Sequence, residues 1–164
     1  MNREKVIMNI CFILKDGKVL LGMKKRGFGA GQWNGFGGKI NPGETIEEGV
    51  KRETQEESGV IISDLEKVGI VNFYFSGKSK YPKVHVFKTS SFSKEPVETE
   101  EMRPQWFDIK NIPFDQMWPD DEYWLPLLLD GKKFQGEFYL DIPSSPTERS
   151  KILKYSLNEV ENVD

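Results

Sequence analysis

The sequence predicts an α/β fold in which a mixed β-sheet lies between α-helices. Three observations lead to this prediction. Apolar and alternating runs typical of strands occur near both ends of the chain, a long segment with few helix breakers separates them, and the 164 residues contain no repeat or linker. We therefore expect one domain over residues 1–164, long enough to bury a core without disulfides.

The first forty residues indicate a β-hairpin followed by a glycine-rich stretch. Val6–Leu14 and Val19–Met23 are apolar runs, and Asp16-Gly17 between them is a dipeptide typical of hairpin turns. Glycines then recur from residue 27 to residue 38. The backbone of this stretch must turn sharply or lie close to another group.

Residues 45–58 are predicted to form the first helix. Thr45–Ser58 contains no helix breaker except Gly49, and Gly59 follows at the place of a C-cap glycine. Ile46 and Val50 are four residues apart, so they share one face of the helix. Acidic residues near its start favour the positive end of the helix dipole.

The rest of the chain is predicted to form strands and a second helix. Trp118–Trp124 begins that helix, with Pro119 in its entering turn, and Pro126 must kink or restart it. An acidic loop spans Glu95–Glu101. The predicted strands are Gly69–Phe75, Lys83–Phe87, Lys132–Asp141 and Ile152–Val160.

The single cysteine and the single histidine exclude several kinds of site. Cys11 and His85 both lie in strand-like runs, and together they cannot build a Cys/His zinc site. A Ser-His-Asp triad would have to use His85. The formal charge of -3 and pI of about 5.4 argue against a nucleic-acid polymer as a partner, and no apolar run is long enough to span a bilayer. We expect a cytoplasmic protein whose chemistry uses carboxylates.

The most informative feature is a group of glutamates on the first predicted helix. Glu53, Glu56 and Glu57 stand at positions i, i+3 and i+4, so they crowd onto one face, and Arg52 can pair with Glu56. Most Glu-rich helices simply present a solvated acidic face. Hard divalent cations would relieve the repulsion, because they take carboxylate oxygens and suit phosphate chemistry.

The whole segment from Gly38 to Val60 resembles the signature of the Nudix hydrolase family. Thr54 departs from the pattern, since the family usually has an aliphatic residue there, and its hydroxyl must find a partner. The resemblance implies the Nudix fold and hydrolysis of a nucleoside triphosphate with Mg²⁺, for which Mn²⁺ can substitute. The matching residues are Gly38, Glu44, Arg52, Glu53, Glu56, Glu57, Gly59 and Val60.

Roles within this site follow in part from the resemblance. One carboxylate must remain available as general base, and we favour Glu57 with Glu53 as the alternative. Glu101 is a further ligand or base, or else a solvated loop charge. Lys24 and Lys39 either neutralise phosphate oxygens or are solvated at the surface. We take the metal ligands to be Gly37, Glu53, Glu56, Glu57 and Glu101.

Three longer segments, Leu20–Lys39, Pro96–Phe107 and Ile112–Leu129, resemble the oxidised-purine nucleoside triphosphate diphosphatases, the 8-oxo-dGTPase or MutT-like branch of the family. The similarity covers most of residues 6–140, and Gln32 stands where these relatives often have arginine. The branch implies a product pair of nucleoside monophosphate and pyrophosphate. The implied substrate-binding residues are Asn9, Lys24, Phe28, Asn34, Phe73, Met102, Trp118, Asp120 and Asp121.

The adjacent aspartates Asp120 and Asp121 allow two interpretations. Acidic residues after Pro119 can simply cap a helix, and neighbours on a regular helix point in different directions. If both instead reach a base edge, repulsion and burial should hold one proton between them, which provides one donor and one acceptor. The residue pattern leaves both open, and the resemblance favours base recognition.

Other functions remain as alternatives at this stage. A Nudix enzyme for ADP-ribose, a dinucleoside polyphosphate or capped RNA would keep the glutamates and change the pocket. A non-catalytic nucleotide-binding module is expected to lose signature carboxylates, and an isomerase would need a cysteine better placed than Cys11. We expect a monomer that hydrolyses 8-oxo-dGTP, and 2-hydroxy-dATP as a further substrate, to sanitise the nucleotide pool.

Overall fold

The first strand organises the sheet. In the computed structural model, which describes residues 2–145 and 148–163, β1 (Glu4–Lys15) pairs with β2 (Lys18–Lys24) in an antiparallel hairpin. Asp16 and Gly17 have φ angles of 51° and 75°, the left-handed values that a two-residue hairpin turn requires. The predicted hairpin and its turn are confirmed.

Most of the remaining strands join the same sheet. The remaining strands are β3 (Trp33–Asn34), β4 (Phe36–Lys39), β5 (Ile61–Ile62), β6 (Glu66–Phe75), β7 (Lys80–Thr89), β8 (Phe92–Ser93), β9 (Met102–Asp108), β10 (Lys133–Leu140) and β11 (Ile152–Val160). The order in the sheet is β11-β10-β6-β7-β1-β2-β3, with β4 also on β1 and β9 also on β2, while β5 and β8 form a small separate ribbon. The pairs β1–β7 and β6–β10 are parallel and the others antiparallel, so the predicted mixed sheet is confirmed.

Several strands have no counterpart in the sequence analysis. β3, β4, β5 and β8 are two to four residues long, too short to produce a periodic pattern. β9 is longer, but Pro104 interrupts its pattern. A proline is tolerated there because β9 pairs with β2 alone and lies at an edge of the sheet.

The first helix forms as predicted. α1 (Ile46–Ser58) begins after Thr45, whose side chain accepts a 3.1 Å hydrogen bond from the Glu48 amide. It ends at Gly59, which has a φ of 77° and donates to the Gln55 carbonyl. Val50, on the inner face of this helix, is fully buried. Local capping therefore determines both ends of the helix that carries the glutamates.

The second helix differs in detail from the prediction. α2 (Asp121–Leu129) starts three residues after Trp118, because Pro119 and Asp120 form a turn that precedes it. Of the two predicted effects of Pro126, a kink or a restart, the restart does not occur, since the helix continues through that residue to Leu129. The lost backbone hydrogen bond is offset by burial of neighbouring apolar side chains on both sides of the proline.

Two hydrophobic cores lie on opposite faces of the sheet. Alternate residues of β1 point to opposite sides, so Phe12 packs with Trp124 of α2, whereas Cys11 packs with Val50 of α1. The sheet thus lies between the two helices, which confirms the predicted layers. Neither helix is long or apolar enough to cross a membrane, within residues 2–145 and 148–163.

Candidate active site

A cavity of about 230 Å³ opens between the sheet, the glycine-rich stretch and the start of α2. Every residue predicted to bind substrate lines it, and so do Gly37 and Glu57. The other residues predicted for the site do not line the cavity: Arg52, Glu53, Glu56, Glu101 and Lys39. The predicted substrate residues on the wall are Asn9, Lys24, Phe28, Asn34, Phe73, Met102, Trp118, Asp120 and Asp121.

Aromatic rings form one wall of the cavity. Phe28 stacks obliquely on Trp118 at 5.1 Å between ring centroids and contacts Phe75 edge-on at 5.8 Å. Gly29 has a φ of 89°, and a Cβ there would lie 3.2 Å from the Trp118 indole nitrogen. The glycine therefore allows the loop to lie against the indole. Phe75 was not among the residues predicted from the sequence.

Asp120 and Asp121 lie at the same cavity, and both are only 2% exposed. The Trp124 indole N–H donates to Asp120 at 2.8 Å. Neither a capping bond from Asp120 nor a partner for Asp120 Oδ1 or Asp121 Oδ2 is found in the described part of the chain. Asp120 therefore occupies the N-cap position of α2 without making a side-chain capping bond to any described residue.

Burial governs the ionisation of the aspartate pair. Desolvation raises the pKa of Asp120. The pKa of Asp121 is raised well above its usual value, first by desolvation and then by the negative charge of Asp120. Arg149 opposes both changes through its positive charge. It donates to the backbone carbonyls of Phe114 and Met117 at 3.2 and 2.6 Å, which holds it near the start of α2.

Two residues beside this pair were missed by the sequence analysis. Trp124 could have been found, because it follows Asp120 by four residues on a predicted helix and so shares its face. No comparable sequence pattern relates Arg149 to the aspartate pair. It lies close to α2 only because the chain returns there before β11.

Two further predicted residues connect the cavity to its surroundings. Lys24 donates from its ammonium to the Phe28 carbonyl at 2.7 Å, which ties the glycine-rich loop to β2. Asn9 accepts from the Gly38 amide at 3.3 Å, and a Cβ on Gly49 would lie 3.1 Å from the Asn9 amide nitrogen. Asn9 therefore joins β1 to β4 and stands close to α1.

Glu57 lies where the cavity meets α1. It is 8% exposed, and its Oε1 accepts a 2.9 Å hydrogen bond from the Gly37 amide. Burial raises its pKa to about 8, with smaller upward effects from Glu53 and Glu101. The Gly37 hydrogen bond and the charge of Lys24 act in the opposite direction. A carboxyl so placed can hold or release a proton near neutral pH.

Arg52 holds the other carboxylates of α1. Its two hydrogen bonds to Glu44 measure 2.7 and 3.0 Å, and its contacts with Glu53 and Glu56 measure 3.0 and 3.3 Å. The expected pair with Glu56 is thus present but is the longest of these contacts. The Arg52 hydrogen bonds lower the pKa of Glu44 to about 2. The bidentate Arg52–Glu44 pair was not predicted.

A NUDIX domain model matches residues 5–128, which include the cavity and α1. The chain belongs to the NUDIX domain family.

Relatives and solved structures agree with this assignment. The chain is 51% identical to the "Oxidized purine nucleoside triphosphate hydrolase" of Mus musculus, over 95% of this chain and 96% of that protein. A protein of the same name from Danio rerio is 47% identical, over 96% and 97%. The crystal structure of a MutT protein from Bacillus halodurans superposes with a TM-score of 0.79 at 25% identity, covering 93% of this chain and 97% of that one.

Nudix proteins generally use divalent metal ions, and the donors around α1 suit one. Among the described residues, no three acidic, histidine or cysteine side chains already form a metal shell. Glu56 in particular is 59% exposed in its side chain rather than crowded against Glu57. Burial and the charges of Glu56 and Glu101 raise the pKa of Glu53, although Arg52 opposes this. A hard cation fits this oxygen-only set because it would offset the repulsion.

Proposed function

We propose that this Nudix protein hydrolyses oxidised purine nucleoside triphosphates to the monophosphate and pyrophosphate. The names of the two relatives support this proposal, since the chain matches nearly the full length of each. The observation that carries it is the buried aspartate pair in an aromatic cavity that extends to Glu57. A purine needs flat apolar contacts on its faces and a few polar groups at its edge.

The aspartate pair supplies the selective contact in this proposal. Two buried adjacent carboxyls retain a proton, so one acts as donor and the other as acceptor. Oxidation at C8 of a purine converts N7 from an acceptor to a donor. A carboxylate acceptor from Asp120 or Asp121 then favours the oxidised base. If the proton moves from one aspartate to the other, the pair can also bind a second oxidised base, such as 2-hydroxyadenine.

The reaction itself depends on the glutamates. Glu57 serves as general base, with Glu53 as the alternative, and Arg52 orients Glu53. Mg²⁺ is the proposed metal, with Mn²⁺ as a substitute, and when bound it screens the triphosphate charge and acidifies water. Lys24 and Lys39 help to neutralise phosphate oxygens. The proposed metal ligands are Gly37, Glu53, Glu56, Glu57 and Glu101.

The proposal also covers the domain content, the oligomeric state and the cellular location of the enzyme. One Nudix domain spans residues 1–164 and acts on a small nucleotide, as a monomer in the cytoplasm. The acidic composition supports a small substrate rather than a nucleic-acid polymer. Removal of oxidised triphosphates would keep the nucleotide pool free of damaged precursors.

Pyrophosphate release tests the proposal directly. Purified chain is incubated with Mg²⁺ and, in parallel, with 8-oxo-dGTP, 2-hydroxy-dATP, dGTP or ADP-ribose. Mn²⁺ replaces Mg²⁺ in one series, and a chelator removes the metal in another. We expect a strong preference for the two oxidised nucleotides, partial activity with Mn²⁺ and loss of turnover with the chelator.

Each alternative outcome has a defined meaning. Preference for ADP-ribose would preserve the glutamate chemistry and overturn the assignment of the base pocket. Equal rates with 8-oxo-dGTP and dGTP would show that the aspartate pair does not read the oxidised edge. Failure to turn over any of the four would favour a nucleotide-binding module.

A further inference from the structure

We infer that Gln32 is a further substrate-binding residue, whose side-chain oxygen accepts a hydrogen bond from the nucleoside half of the substrate. The inference rests on the proposed function and deepens it. Gln32 lines the same cavity as the aspartate pair and Asn34. Gln32 was not among the substrate-binding residues predicted from the sequence.

The backbone of Gln32 is held in place from two sides. Its N–H donates to the Gly29 carbonyl at 3.2 Å, and its own carbonyl accepts from the Lys24 amide at 3.1 Å. The next residues form β3, whose pairing with β2 continues the same alignment. The side chain therefore starts from a fixed point on the cavity wall, as a selective contact requires.

Gln32 and Asn34 occupy the same side of the extended chain. Both line the cavity, whereas the intervening Trp33 instead packs against Phe107 at 4.8 Å between ring centroids. Asn34 Oδ1 accepts from the Gly35 amide at 2.9 Å, so the NH₂ group is what Asn34 can offer to a ligand. Asn34 thus provides a donor and Gln32 an acceptor, two residues apart.

The acceptor of Gln32 is unpaired. Its Oε1 is buried and lacks a hydrogen-bond partner in residues 2–145 and 148–163, as do Asp120 Oδ1 and Asp121 Oδ2. Asn9 Nδ2, on the same cavity, is a donor that is likewise unpaired among the described residues. Buried unpaired polar atoms are destabilising, so three oxygens and one nitrogen call for a ligand with several donors and an acceptor. The amino, ring N–H and hydroxyl groups of an oxidised purine nucleoside supply the donors. In the proposed complex, the Gln32 side chain turns so that its oxygen faces such a donor.

Gln32→Met tests this contact, because methionine has a similar length and neither donates nor accepts comparably. The affinity for 8-oxo-dGMP is measured by titration calorimetry, and kcat and KM are measured for 8-oxo-dGTP with Mg²⁺. We expect the Kd and KM to rise about 3- to 10-fold with kcat unchanged. Inhibition by pyrophosphate should also be unchanged, because pyrophosphate has no nucleoside. Gln116→Met, at an exposed position outside the cavity, should behave as the wild type.

A second ligand identifies the donor. If the Gln32→Met penalty persists with the 2′,3′-dideoxy analogue of 8-oxo-dGMP, the donor is a base N–H; if it disappears, the donor is a sugar hydroxyl. Both results support the contact. Wild-type affinity in Gln32→Met overturns it, and so does equal weakening of 8-oxo-dGMP and pyrophosphate binding. If the wild type binds 8-oxo-dGMP but does not turn over 8-oxo-dGTP, only the proposed function is overturned, because the Kd comparison needs no turnover. If the wild type does not bind 8-oxo-dGMP, both the proposed function and the Gln32 contact are overturned.

Discussion

Two groups of carboxylates in this protein differ in what surrounds them and therefore in how their negative charge is stabilised. In the glutamate cluster (Glu44, Glu53, Glu56, Glu57 and Glu101), Arg52 contacts the first three, and exposure ranges from the buried Glu57 to a largely exposed Glu56. The aspartate pair, Asp120 and Asp121, is buried, and no ion pair reaches it within the described residues.

Because of these different surroundings, the same carboxyl group can serve two purposes in one protein. Beside a guanidinium and near solvent, carboxylates such as Glu44 remain ionised and can meet a cation. Deep in an apolar cavity, Asp121 favours its protonated form and can present a hydrogen-bond donor. We expect the glutamate cluster to control turnover and the aspartate pair to control the choice of base.

The largest expected effect comes from Glu57→Gln. This change removes the proposed base while keeping its size, so turnover of every nucleotide should fall by about 10²- to 10⁴-fold. Binding of 8-oxo-dGMP, measured by calorimetry, should change little because the aspartate pair is intact. Glu48→Gln, on the exposed side of α1, is the matched control. Wild-type turnover by Glu57→Gln would transfer the role of base to Glu53.

Asp121→Asn should affect selectivity instead. An asparagine cannot share a proton with Asp120, so the ratio of kcat/KM for 8-oxo-dGTP to that for dGTP should fall by about 10²-fold. Steady-state kinetics on both nucleotides measures the ratio, and Asp115→Asn at an exposed position serves as control. An unchanged ratio would mean that Asp121 does not contact the base.

The pH dependence of stability should separate the aspartate pair from the rest of the chain. Because their folded pKa values are raised above the usual 3.8, the two carboxyls contribute stability below that pH and lose it as pH rises through the raised values. A tenfold change in proton affinity on folding corresponds to about 1.4 kcal/mol of stability. Urea unfolding at pH 5 and pH 8 should show a larger loss for the wild type than for Asp120→Asn/Asp121→Asn. Equal losses would show that Arg149 keeps the pair ionised.

The smallest effect concerns the inner side of the helix that carries the glutamates. Thr54 is fully buried, and its hydroxyl has no hydrogen-bond partner among the described residues, contrary to the expectation that it would find one. Thr54→Val should raise the free energy of unfolding by about 1 kcal/mol in urea titrations, with turnover unchanged. Thr89→Val should lower it, because the Thr89 hydroxyl donates to the Asp64 carbonyl at 2.6 Å. Destabilisation by Thr54→Val would show that its hydroxyl is satisfied by water.

Local signals were sufficient for much of the fold and for the types of residue in the site. Asp16-Gly17 determined a hairpin turn, and Thr45 and Gly59 marked the limits of α1. These features depend on residues a few positions apart, so their physics is contained in a short window of sequence. The Nudix signature likewise depends on spacing within one loop and one helix.

How those residues are used depends on contacts between segments that lie far apart in the chain. The approach of Arg149 to the aspartate pair and the edge strand β9 arise from packing between distant segments. Burial was decided in the same way: the sequence showed Asp120 and Asp121 at a helix start, but not that both are shielded from water. A carboxyl's pKa depends on the atoms that replace its solvent, and those atoms come from strands and loops far away in the chain.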